Sequence, residues 1–131
     1  MKLAFFNDYQ LGVIKDSRII DASPALEGIS YYSPQELMKI VITGWGEIQP
    51  KIEQAVAGKE GIALDKVRLR PPLPRPGQLV CLAGNYIETS RPDRGEFNGF
   101  LKSPTGVVGK GDTVEFPPID ASVFHFEPEL S

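Results

Sequence analysis

Four prolines fall between residues 71 and 76, in the run RPPLPRPGQ at 70–78. Proline fixes φ near −65° and has no N–H to donate, so neither an α-helix nor an interior sheet strand can run through this segment. The chain is therefore divided here. Composition makes residues 71–78 a stiff, extended linker, with a proline-rich recognition motif as the other reading. Most of the 12 prolines and 13 glycines lie beyond residue 70. The two sides therefore differ in kind: a small module at 1–70 and a second region at 79–131.

On the first side, KLAFF (2–6), LGVIK (11–15) and SRIIDA (strand at 18–21) are separated by the polar turns NDYQ and DS. Short apolar runs punctuated this way predict an antiparallel meander. YYSPQELMKIVITG follows. Ser33 suits an N-cap, Pro34 the first helical position, and Glu36 stands three residues on, as in a capping box. Leu37, Ile40 and Val41 keep helical spacing, and Gly44 supplies the stop. A second helix is expected over 47–57, with Ile48, Ile52, Ala55 and Val56 on one face and Gly58 after it. Residues 1–70 thus read as a small α+β module.

On the second side, LVCLAG (79–84) has the look of a buried strand, with Cys81 as a small core residue. NYIETSRPDRGEFNG reads as a loop. FLKS, TVEF and SVFHFEPEL read as strands, and nothing after residue 60 carries a helix signal. GVVGKGD (106–112) lacks the Ser or Thr that follows Lys in a phosphate loop, so it reads as a turn between strands.

The totals narrow the function. With 131 residues, 41% of them hydrophobic, the chain can bury one ordinary core or a small domain and part of another. No apolar run approaches the roughly 18 residues of a spanning helix. MKLAFF turns polar at residue 7, unlike a secretory signal. A net charge of −3 argues against a nucleic-acid binder. One cysteine makes no internal disulfide, and a reducing, cytoplasmic setting is expected.

The chemistry sits at the end of the chain, in FHFEPELS (124–131). Residues two apart in a strand share a face, so Glu127 and Glu129 project together. Adjacent carboxylates repel unless they are exposed, one is protonated, or a cation lies between them. Hard divalent cations take oxygen ligands. Taken alone, the pair also fits an exposed strand face. His125, the single histidine, suits a base, a partner to a metal-bound carboxylate, or a surface residue. Lys102 is either an anion contact or solvated charge.

Taken in order, these segments resemble the fumarylacetoacetate hydrolase family. PLPRPGQLVCLAGNY is similar to the family's entry into its catalytic core, FLKSPTGVVGKGDTVEFPP to the segment that follows, and FHFEPEL to the strand carrying two metal ligands. The first 70 residues resemble the small N-terminal domain of many members. The resemblance implies an α+β, mostly β fold: a small N-terminal α/β module followed by the start of a mixed β-roll core. It also implies Mg²⁺, or Mn²⁺ or Ca²⁺, on Glu127 and Glu129. The substrate would be a small 2-keto or β-diketo acid, hydrolysed at a C–C bond, decarboxylated or isomerised. Asn85, Tyr86 and Lys102 fall at substrate-pocket positions, and His125 would orient a glutamate through a hydrogen bond. A homodimer, or a second chain completing the core, is the expected assembly.

Two departures stand out. Where the family often has G-x-N-Y-x-x-H, GNYIETS puts Thr89 at the histidine, and a hydroxyl is no base near neutral pH. Glu88 or Glu96 would have to substitute, and the short loop implies a reduced lid. The family's third carboxylate also comes downstream of E-x-E, whereas this sequence ends at Ser131. The expectation is a piece of a longer protein, inactive by itself. The alternative is a non-catalytic structural or regulatory subunit that has lost the base.

Overall fold

The computed structural model describes residues 1–87, 93, 96–116 and 118–120. These residues are mostly β, with two α-helices.

Three strands form the expected meander: β1 (Lys2–Phe6), β2 (Gln10–Lys15) and β3 (Arg18–Asp21). The β1–β2 turn places Asn7 and Tyr9 at φ 48° and 60°, and the β2–β3 turn places Asp16 at 55°. Asn and Asp tolerate this left-handed region better than most residues. Two further strands complete the sheet: β4 (Ile62–Ala63) pairs with β3, and β5 (Leu69–Arg70) returns to β1. The order is β4-β3-β2-β1-β5, and every pairing is antiparallel.

The sheet is apolar on both faces because each face has a cover. Leu3, Phe5, Leu11 and Val13 face α1 (Pro34–Thr43) and α2 (Trp45–Val56). The helices bring Leu37, Met38, Val41, Ile48 and Ile52 to that core. Ala4, Phe6 and Ile19 point the other way, onto Leu64, Val67 and Leu69 of the returning chain. Alternate residues of β1 therefore serve different cores, as a period of two requires.

Ser33 caps α1 as expected: its Oγ accepts from Glu36 N at 3.2 Å. The reciprocal bond is displaced by one residue, since the Glu36 carboxylate accepts from Tyr32 N at 2.6 Å rather than from the N-cap. The second helix begins at Trp45, two residues before the expected start. Gly44 causes this: it closes α1 by donating to Ile40 O and opens α2 by accepting from Glu47 and Ile48. Pro50 lies inside α2 and withdraws one N–H from its ladder.

Beyond the prolines, β6 (Leu79–Leu82) pairs antiparallel with β7 (Gly99–Lys102). TVEF, expected as a strand, belongs to no strand among the described residues. Nor is LVCLAG a buried strand: Cys81 is only half-buried, and Val80 and Leu101, directly opposite one another, are 64% and 66% exposed. Among the described residues the ribbon has two strands and no second layer to bury them. Among the described residues no helix is long and apolar enough to cross a membrane.

Candidate active-site hairpin

The register of β6 and β7 fixes the local geometry. Leu79 faces Lys102 at one end of the hairpin and Leu82 faces Gly99 at the other. The chain leaves β6 through Gly84 at φ 64°, and Ala83 N donates to Asn98 O at 2.8 Å. That bond brings the two loop ends together around a hollow of about 210 Å³, whose lining includes Asn85, Glu96, Phe97 and Asn98. It holds two amides, a carboxylate and an exposed aromatic ring on a backbone held by hydrogen bonds.

The expected site residues are distributed unevenly over this geometry. Asn85 lies in the hollow, together with Glu96, one of the two glutamates, with Glu88, that could stand in as base. Tyr86 follows Asn85 but is not among the lining residues, and it is half exposed. Lys102 is at the opposite end of β7, three residues or about 10 Å along the strand. Its ammonium lies 5.6 Å from the centroid of the Phe100 ring, a cation–π contact. The structure therefore joins Asn85 to Glu96 and separates Lys102 from both. Glu88, Thr89, His125, Glu127 and Glu129 lie outside the described residues. Among the described residues no group of three His, Cys, Asp or Glu side chains is arranged to hold a metal ion.

Phe97 and Asn98, in a segment whose sequence reads only as loop, complete the lining. The available signal was the pairing of LVCL with GFLK, which forces the residues just before Gly99 back beside Gly84.

GVVGKGD forms a turn, but not the expected turn between strands, since TVEF after it is no strand among the described residues. Asp112 N donates to Gly109 O at 3.1 Å, Asp112 Oδ2 accepts from Gly109 N at 2.9 Å, and Gly111 takes φ 85°. Asp112 Oδ1 also pairs with Arg68 Nη2 at 2.5 Å. The Arg68 hydrogen bond first, and the Gly109 N–H second, hold the Asp112 carboxyl below its ordinary pKa.

No family model matches the chain. Maleylpyruvate hydrolase from Aquipseudomonas alcaligenes is 27% identical over 148 aligned positions, spanning 100% of this chain and 51% of that enzyme. The crystal structure of maleylpyruvate hydrolase from Sphingobium sp. SYK-6 in complex with manganese(II) and pyruvate matches at TM-score 0.73 and 30% identity. That match covers 91% of this chain and 43% of the enzyme. The chain is a homologue of the maleylpyruvate hydrolases. Sequence and structure agree on this, and the resemblance to the fumarylacetoacetate hydrolase family is borne out. A second structure of the Sphingobium enzyme gives TM-score 0.72 and 29% identity over 92% of this chain and 44% of that one. The chain thus spans about half the length of the maleylpyruvate hydrolases it matches.

Proposed function

We propose that the whole protein is a metal-dependent hydrolase that cleaves a carbon–carbon bond in an acylpyruvate, a 2,4-diketo acid, and releases pyruvate. The observation that carries this reading is the match, over nearly the whole chain, to a maleylpyruvate hydrolase solved with manganese(II) and pyruvate. Residues 1–70 act as its N-terminal domain, 71–78 as a linker, and 79–131 as the beginning of its catalytic core.

Glu127 and Glu129 hold the divalent cation, for which manganese and magnesium are the leading candidates. The donor chemistry fits, because two carboxylates spaced E-x-E offer oxygen ligands to a hard ion. Once bound, the metal supplies Lewis acidity to the keto and carboxylate oxygens of the substrate. His125 donates a hydrogen bond that orients one glutamate. Asn85 binds a substrate oxygen at the mouth of the hollow. Glu96, in the same hollow, accepts a proton from the attacking water. Tyr86 and Lys102 contact the substrate only if they approach the hollow on binding.

Thr89 favours a second reading, a metal-binding relative without turnover, because the position offers no imidazole. The same experiment separates the two. The whole protein is assayed with manganese(II) and an acylpyruvate for pyruvate release, and manganese binding is followed by calorimetry. Turnover that is lost in Glu127→Ala together with metal binding supports the hydrolase. Metal binding without turnover supports the non-catalytic relative. Retention of full manganese affinity by Glu127→Ala overturns the ligand assignment.

A further inference from the structure

Both roots of the β6–β7 hairpin are tied to the N-terminal module. On the entry side, Arg75 N donates to Gln35 Oε1 at 2.9 Å, in the first turn of α1. On the exit side, the Gly109–Asp112 turn is fastened to β5. Arg68 meets the Asp112 carboxylate, and Gly109 sits so close to the sheet that a Cβ there would stand 2.9 Å from Leu69 O.

The receptor for this turn is itself fixed. Arg68 N donates to Asn7 Oδ1 at 3.1 Å, and Asn7 N donates back to Arg68 O at 2.8 Å. Arg70 Nε donates to Asn7 O at 2.8 Å, and its guanidinium lies 5.2 Å from the centroid of the Tyr9 ring. Arg68 therefore projects from a cross-linked sheet edge. The path from Lys102 to Gly109 is short, and a 3₁₀ turn at Pro104–Gly106, capped by Ser103, sets part of it. A turn held at residue 112 consequently limits how far the end of β7 can swing.

We propose that Asp112 and Arg68 are positioning residues. Their clasp fixes the exit of the β6–β7 hairpin, so that the hollow carrying Asn85 and Glu96 keeps one orientation on the N-terminal module. The catalytic consequence rests on the proposed hydrolase function; the mechanical one does not.

Hydrogen exchange of the whole protein, read by mass spectrometry, tests the clasp in Asp112→Asn, Arg68→Met and the charge-retaining Arg68→Lys. In the first two, amides of 79–82 and 99–102 should exchange about two- to fivefold faster, the range expected for loss of a partly exposed ion pair. Amides of β1–β3 should stay as they were, and Arg68→Lys should recover much of the protection. The kcat/KM for an acylpyruvate should fall in the same order, chiefly through KM. Unchanged exchange in β6 and β7 overturns the clasp. Equal acceleration throughout β1–β3 also overturns it, because Arg68 would then serve the stability of the module. Faster exchange with unaltered kcat/KM overturns the positioning role. If the unsubstituted protein releases no pyruvate, the hydrolase reading fails, while the exchange comparison still decides the clasp.

Discussion

Gly12 on β2 lies so close to Ile19 on β3 that a Cβ built on it would stand 2.6 Å from Ile19 Cγ1. Ile19 has no room to retreat, since it is fully buried, and the Phe6 ring would lie 3.0 Å from the same Cβ. Gly12→Ala should therefore act as overpacking and destabilise the module by about 1–3 kcal/mol. Urea unfolding followed by circular dichroism measures it, and an unchanged midpoint would show that β2 and β3 are not in this register.

Ser33 satisfies one of the free N–H groups at the start of α1. Ser33→Ala should cost about 1 kcal/mol, the usual value for a lost N-cap, whereas Ser33→Asp should be close to neutral. The two urea midpoints should differ in that order.

The depressed pKa of Asp112 gives the Arg68 pair a definite acid limit. A carboxyl held lower in the folded state than in the unfolded chain adds stability above its unfolded value, about 3.9, and loses it as pH falls through the folded value. The clasp should be intact at neutral pH and open only below about pH 4. Exchange at residues 109–112 should thus be pH-independent, after correction for intrinsic rates, from pH 7 to 5. An opening centred near pH 6 would contradict the pairing.

If the resemblance places residue 89 where a histidine base belongs, Thr89→His should increase kcat/KM for an acylpyruvate in the whole protein by about tenfold or more. The gain should follow an apparent pKa near that of imidazole, about 6–7. A flat pH profile with no gain would show that position 89 does not face the reacting atoms.

Much of the module was legible because its signals are local. The meander boundaries and the Ser33–Pro34–Glu36 start of α1 depend on neighbouring residues, and they held to within a residue. β4 and β5 left no such trace. Each is two residues long and exists because Ile19 meets Ile62 and Phe6 meets Leu69 across the fold. Lys102 shows the same limit at the site: motif order grouped it with Asn85, but strand register puts it at the other end of the hairpin. The exposure of Val80 was also hidden, since an apolar run reports what a strand prefers and not whether a second layer covers it. Glu127 and Glu129 remain a reading of the sequence, because they lie outside the described residues.

The two borders of the main sheet bear on self-association. β4 and β5 each offer two residues of ladder. β5 runs straight into Pro71 and Pro72, which have no N–H to donate, and the Gly109 turn sits against its Leu69 carbonyl. A neighbouring copy adding a strand would need a longer row of free backbone groups than either border supplies. The sheet is thus built to stay five strands wide at high concentration.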